Sequence, residues 1–170
     1  PPRFVLQDKS RSAFRLGVVV AEIFIRDSYK QYGRNFFSRY DYEEVESADA
    51  QTMMSELRAK VTDPAFLGST HGSFKVAEAG DFSYTDPIDH SVSKNQGLYV
   101  RMEDGSRIVF RLSGTGSAGA TIRLYVEKYS SMAAEYAADV LEALRPIIDV
   151  ALQLSALQRH TGREKPTVIT

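Results

Sequence analysis

The chain of 170 residues contains no cysteine and no tryptophan. Without thiols there is no disulfide framework and no thiolate chemistry, and a reduced, cytosolic setting is compatible. Neither sign of charge is in excess, because 21 lysines and arginines stand against 22 aspartates and glutamates. That balance removes the global field on which binders of nucleic acid or of acidic membranes rely. Nine tyrosines and nine phenylalanines are present, but no basic run interleaves with them, so they do not argue for RNA. Long hydrophobic runs are missing as well. The longest, residues 18–21, is far short of the ~20 residues needed to cross a bilayer. Arg3, Asp8, Lys9 and Arg11 have no apolar h-region before them, so no signal peptide is expected; the chain is expected to be cytoplasmic. No internal repeat or low-complexity segment occurs, and the length suits one ordinary domain with appendages.

What is present organises into alternating patterns. Residues 1–15 are mixed and read as a tail, and 18–32 as a helix stopped by Gly33. Over 35–43, Phe37, Arg39 and Asp41 alternate with Phe36, Ser38, Tyr40 and Tyr42, as in a half-buried strand. A helix is expected over 48–61, capped by Ser47 or Asp49, with Met53, Met54, Leu57 and Val61 on one face and Asp63-Pro64 as its stop. A short strand near 74–79 precedes a loop over 84–96 rich in Asp, Ser, Pro and Asn. Strands over 97–103 and 106–113 meet at Glu103-Asp104-Gly105, a hairpin signal, and another strand runs over 120–128. A helical stretch over 131–160 carries Val140, Leu141, Leu144, Ile147, Ile148, Ala151 and Leu152, with Pro146 expected to kink it or to start a new helix. These elements predict an α+β fold: an antiparallel sheet of about four main strands with helices packed on one face.

The chemistry concentrates in residues 111–123, Arg-Leu-Ser-Gly-Thr-Gly-Ser-Ala-Gly-Ala-Thr-Ile-Arg. Glycines let backbone amides converge on one point, hydroxyls add donors, and arginine offers a planar fork that fits a phosphate bidentately. The segment also spells G-x-G-x-x-G over 114–119, a dinucleotide-binding fingerprint that requires a helix to follow. Here Ile122, Leu124 and Val126 alternate with Thr121, Arg123 and Tyr125, which is strand periodicity, so that reading fails. No G-x-x-x-x-G-K-[ST] loop occurs either. Paired as a hairpin with Leu112 facing Ile122 and Phe110 facing Leu124, the two strands give one apolar surface and set Arg111 opposite Arg123. Like charges directly opposite destabilise a ladder, and a dianion between them would turn repulsion into two charge-assisted contacts. The bland alternative is a solvated arginine pair beside a glycine loop.

Other candidates are weaker. Asp86, Asp89 and His90 could be drawn as a metal cluster, but Asp-Pro-Ile-Asp reads as a turn whose aspartates bond local backbone. His71 and His160 lack neighbouring ligand residues and read as surface positions. Glu43, Glu44 and Glu46 read as an exposed strand-to-helix junction. Arg34 and Arg39 read as structural or interdomain residues.

At these residues the chain resembles the phosphoglucomutases of the α-D-phosphohexomutase family. The likeness lies in the 111–123 segment, which is similar to the phosphate-binding loop of the family's last domain. It extends to Gln31-Tyr-Gly-Arg-Asn-Phe-Phe-Ser-Arg-Tyr-Asp-Tyr-Glu-Glu-Val45, to Asp86-Pro-Ile-Asp89 and Gln96-Gly-Leu98, and to the segment 159–170. The resemblance implies a C-terminal phosphohexomutase domain over 29–170, preceded over 1–28 by a tail or remnant of a preceding domain. It implies a parent isomerase of carbohydrate metabolism that interconverts glucose 1-phosphate and glucose 6-phosphate, using Mg²⁺ and glucose 1,6-bisphosphate. Substrate phosphate would be bound by Arg111, Ser113, Gly114, Thr115, Gly116 and Arg123. The family's Thr-Ala-Ser-His-Asn-Pro, Asp-Gly-Asp-x-Asp-Arg and Gly-Glu-Glu-Ser loops do not occur here. The segment alone is therefore expected to hold no catalytic residue, metal or bound cofactor. Its implied partners are a sugar phosphate and the preceding domains of the same enzyme, with no nucleic acid and no membrane. A non-catalytic phosphoglucomutase-like structural protein and a free-standing phosphate-binding module are the alternatives; an intact loop favours the enzyme.

Overall fold

The structure, a computed structural model, describes residues 23–116 and 119–170. Two compact units divide it. In the smaller, helix α1 (residues 23–32) ends at Gly33, whose φ of 77° is left-handed and whose N–H donates to the Tyr29 carbonyl at 2.8 Å. The start of the helix expected over 18–32, and the tail over 1–15, lie outside the described residues. The same unit holds Ser130–Ala137, where Tyr136 accepts a 2.8 Å hydrogen bond from Arg34 Nη1 and tilts its ring toward Tyr29.

In the larger unit, period-two patterning builds a seven-stranded sheet in the order β2-β3-β4-β5-β6-β1-β7. The strands are β1 (Arg34–Val45), β2 (Thr70–His71), β3 (Phe74–Thr85), β4 (Val92–Met102), β5 (Arg107–Gly116), β6 (Gly119–Ser130) and β7 (Val168–Ile169). The pairings β2–β3, β3–β4, β4–β5, β5–β6 and β1–β7 are antiparallel. The α+β class holds, with seven strands in place of about four. Two of the extra strands are two-residue edges, too short for alternation to show. The loop expected over 84–96 is smaller, because β3 runs to Thr85 and β4 starts at Val92. Polar residues alternate there as well as they do in loops, and the hairpin ladder continues through Tyr84↔Ser93 and Thr85↔Val92.

One face of the sheet is apolar. Leu98, Val100, Met102, Ile108, Phe110, Ala120, Ile122, Leu124 and Val126 are buried in one cluster with Met53, Leu57, Leu144, Ile147 and Leu157 from the helices. Those helices are α2 (Ser47–Val61), α3 (Val140–Ser155) and α4 (Leu157–Thr161). Met53, Met54, Leu57 and Val61 form the buried face of α2 as expected, but its N-cap is Glu46, with no side-chain cap. Neither Ser47 nor Asp49 caps it. Polar ties brace the layers: Arg58 Nε lies 2.6 Å from Asp81 Oδ2, and Lys60 Nζ donates to the Leu154 carbonyl at 2.7 Å.

The helix expected over 131–160 is shorter and broken. Ala133–Glu135 is a single 3-10 turn, and α3 begins where Asp139 accepts from the N–H groups of Leu141 and Glu142. Pro146 neither ends α3 nor starts a new helix. It sits on the exposed side, one turn after Glu142, so the carbonyl left without a donor is on the solvent face. The break falls at Ala156, which adopts φ 48° without being glycine.

Candidate functional site

The β5–β6 hairpin has the register that the residue pattern predicts. Phe110 pairs with Leu124 and Leu112 with Ile122 on the core side, and Arg111 pairs with Arg123 on the other. Ser113 pairs with Thr121 and Gly116 with Gly119, with a register shift between Ser113 and Gly116. A strand, not a helix, follows the turn, so the dinucleotide reading is closed. Turn residues 117 and 118 lie outside the described residues. Gly114 and Gly119 have φ of 65° and 87°, conformations that favour glycine. Gly119 is also sterically required: a Cβ there would come within 3.2 Å of the Val45 carbonyl oxygen and 3.3 Å of the Glu44 Cα. The end of β1 thus braces the start of β6. Glu44 itself has φ 54°, and its carbonyl accepts from Arg163 Nη2 at 3.0 Å.

Three residues to which the sequence reading gave no part in the phosphate site complete the arrangement. Gly97 in β4 lies under Arg111: a Cβ there would come 2.8 Å from the Phe110 carbonyl oxygen and 3.0 Å from Arg111 Cγ. Glycine inside a strand is a signal of close approach, and the Gln96-Gly-Leu98 string carried it. On β1, Arg39 and Asp41 share the open face of the sheet with Arg123. Asp41 Oδ1 lies 2.9 Å from Arg39 Nε, and its Oδ2 lies 3.7 Å from Arg123 Nε. The 2.9 Å distance does not come with hydrogen-bond alignment, since Arg39 Nε, Asp41 Oδ1 and Arg123 Nε all lack an aligned partner. These contacts are ion pairs without hydrogen-bond alignment. Arg39, read as structural, is thus an ion-pair partner at the site's edge.

Other charges on the open face pair with one another. Arg101 Nη2 meets Glu78 Oε2 at 2.8 Å, and Tyr99 donates to Glu78 Oε1 at 2.9 Å. That hydrogen bond raises the Tyr99 hydroxyl above its ordinary pKa of 10.0. Arg107 meets Glu127 at 2.6 Å.

Asp86, Asp89 and His90 form a turn. Asp86 Oδ1 accepts from the N–H groups of Ile88 (2.7 Å) and Asp89 (3.3 Å), and Asp89 Oδ1 accepts from Ser91 N–H at 2.8 Å. The Ser91 hydrogen bonds hold the Asp89 carboxyl below its ordinary 3.8. The two histidines read as surface positions are not. His71 is half-buried against the Phe66 ring and bonded to Ser69 Oγ at 2.9 Å, while His160 is nearly buried beside Glu56. The glutamates at 43, 44 and 46 lie at the exposed junction of β1 and α2. Among the described residues, no three His, Asp or Glu side chains are grouped to hold a metal ion, and no helix is long and apolar enough to cross a membrane. A cavity of about 320 Å³ opens against Tyr42, Leu152, Gln153, Arg159 and Arg163; none of its lining belongs to 111–123.

The chain is similar to known proteins. A family model described as "Phosphoglucomutase-1, C-terminal domain" matches residues 34–167. Phosphoglucomutase 1, chloroplastic, of Marchantia polymorpha is 54% identical over 153 residues, 90% of this chain and 23% of that protein. Phosphoglucomutase-1 of Homo sapiens is 51% identical over 153 residues, 88% of this chain and 27% of that protein. Among solved structures, the open form of the exocytosis-sensitive phosphoprotein pp63/parafusin, a phosphoglucomutase from Paramecium, is similar with a TM-score of 0.73. Its identity is 46%, over 85% of this chain and 24% of that one. The chain spans about a quarter of the length of the curated relatives it matches.

Proposed function

We propose a function on the premise that these matches supply: the chain belongs to the phosphoglucomutase family, as its C-terminal domain. In this reading the chain is the part of a larger mutase that holds the phosphate group already on the sugar. The parent enzyme interconverts glucose 1-phosphate and glucose 6-phosphate. Arg111 and Arg123 supply the charged forks, Ser113 and Thr115 belong to the hydroxyl-bearing stretch between them, and Gly114 and Gly116 keep the backbone thin. The observation that carries the reading is the ladder register that sets Arg111 opposite Arg123, beside two left-handed glycines.

Anchoring one end of a sugar phosphate is a positioning task. Held at its phosphate, the substrate presents its distal hydroxyl or phosphate to groups elsewhere in the enzyme, which turns a chance encounter into an oriented one. The parent's use of Mg²⁺ and glucose 1,6-bisphosphate belongs to this proposal as well. The described residues of this chain offer no donor set for the metal, so no step here runs through it. The chain alone is expected to give no turnover of glucose 1-phosphate in a coupled assay. Cytoplasmic placement is likewise proposed, although relatives such as that of Marchantia polymorpha carry chloroplastic names. So is the division into a remnant over 1–28 and a domain over 29–170.

Calorimetric titration of the chain with glucose 6-phosphate tests the reading. Arg111→Ala and Arg123→Ala each remove a charged hydrogen bond, of order 1.5–3 kcal/mol before screening by water. Each should weaken binding at low salt, and added salt should weaken the wild type. Wild-type affinity in both variants would overturn the assignment.

A further inference from the structure

A guanidinium on an open strand face has a long, flexible stem, and Arg123 stands across the ladder from a like charge. Something must aim it. Strand β1 lies next to β6 and brings Asp41 to the same face. The Asp41 side chain is only 6% exposed, whereas Arg123 is 42% exposed. A carboxylate so buried needs compensating positive charge, and Arg39 and Arg123 provide it from either side. Both approach through Nε, the inner edge of the guanidinium. Among the described residues, no acceptor takes up the outer Nη groups of Arg123. Arg123 is therefore divided, with its inner edge on a fixed carboxylate and its outer fork open.

We propose that Asp41 is a positioning residue for the anion site, holding the inner edge of Arg123 so that the outer fork is presented to a phosphate. The proposal rests on the phosphate reading of the 111–123 segment. Charge alone argues the opposite role, because a carboxylate beside an anion site repels the anion. The two roles predict effects of opposite sign when the carboxylate is neutralised without change of shape, and that makes the proposal decidable. As a charge, Asp41 weakens phosphate binding; as a positioning residue, it strengthens it.

The experiment measures glucose 6-phosphate affinity of the full chain for wild type, Asp41→Asn, Arg123→Ala and the double variant. It also follows the Arg123 Nε–H resonance in the absence of ligand. Asp41→Asn should bind roughly tenfold more weakly, the scale of one charge-assisted contact. The double variant should bind no worse than Arg123→Ala, because the two residues act through one contact. The Arg123 Nε–H resonance should move in Asp41→Asn, a change that a general loss of stability would not localise to one side chain. Since Asp41 is buried, Arg123→Lys supplies a second test at a half-exposed position. Lysine keeps the charge and three donors but lacks the planar fork, so a carboxylate at its inner edge cannot present two outer donors to an anion, and its affinity should fall by a similar factor.

Equal or tighter binding by Asp41→Asn, an unmoved Nε–H resonance, or full affinity in Arg123→Lys would overturn the proposal. If wild type binds and Arg123→Ala does not while Asp41→Asn binds normally, only the positioning role falls. If wild type shows no binding that depends on Arg111 or Arg123, the site reading and the proposal fall together.

Discussion

The β3–β4 and β5–β6 hairpins turn at the same end of the sheet, with opposite chemistry in their tips. The β3–β4 tip closes on itself: Asp86 and Asp89 take up the N–H groups of Ile88, Asp89 and Ser91. Its apolar residue points away, with Ile88 89% exposed. In the β5–β6 hairpin, no Asp, Glu, Asn or Gln occurs anywhere between Arg111 and Arg123. Its turn chemistry is glycine and hydroxyl, and its flanks are cationic. A turn that supplies its own carboxylate acceptors has no use for an external anion, whereas a turn built from glycines and flanked by arginines offers donors to one. Both hairpins share the same apolar underside, so the difference lies in the tips and the open face.

The largest effect is expected at Gly97, which seats Arg111 of the second hairpin on a strand of the first. Gly97→Ala places a methyl 2.8 Å from the Phe110 carbonyl and 3.0 Å from Arg111 Cγ. Overpacking of this kind costs about 1–3 kcal/mol. Urea unfolding should show that loss, and phosphate affinity should fall with it because Arg111 is displaced. Affinity retained in a folded Gly97→Ala would mean that the seat of Arg111 is immaterial.

A smaller effect separates the two tip glycines. Gly114→Ala forces alanine into φ 65° with no atom nearer than 3.9 Å, a cost of about 1 kcal/mol. Gly119→Ala adds contact at 3.2 Å with the Val45 carbonyl oxygen, so it should cost more. Thermal melts of the two variants rank them, and the reverse order would contradict the bracing of β6 by β1.

The smallest effect comes from His71, at the opposite end of the sheet from both tips. Burial, and to a lesser degree Lys60, hold its pKa below the ordinary 6.5. The folded state therefore binds this proton less readily than the unfolded chain. Its contribution to stability is present above about pH 6.5 and is lost as pH falls through the lower folded value. Between pH 7.5 and 5.5 the melting temperature should drop slightly more for wild type than for His71→Gln. Parallel profiles would remove His71 from the account.

The second hairpin was legible in the sequence because both strands alternate strictly about a glycine-rich turn, which leaves one register that keeps Phe110, Leu112, Ile122 and Leu124 on a single face. The apolar stripe of α2 was legible for the same reason. The outer half of the first hairpin was not, since residues 84–85 and 92–96 read as loop until the partner strand is known. The end of α3 at Ala156 carries no glycine to announce it. Asp41 stands in the sequence only as one position of the alternation in a half-buried strand. Its burial depends on Arg39 beside it and Arg123 from a strand 82 positions further on, a combination that periodicity does not encode.

The central claim, that the β5–β6 tip and not its neighbour is the anion site, is tested most directly by an amide chemical-shift titration of the full chain with glucose 6-phosphate. Saturable, salt-sensitive shifts are expected at the amides of 113–119 and at the Arg111 and Arg123 side chains, with the amides of 86–91 unmoved. Shifts centred on 86–91, or shifts at 113–119 that persist unchanged when Arg111 and Arg123 are both alanine, would contradict it.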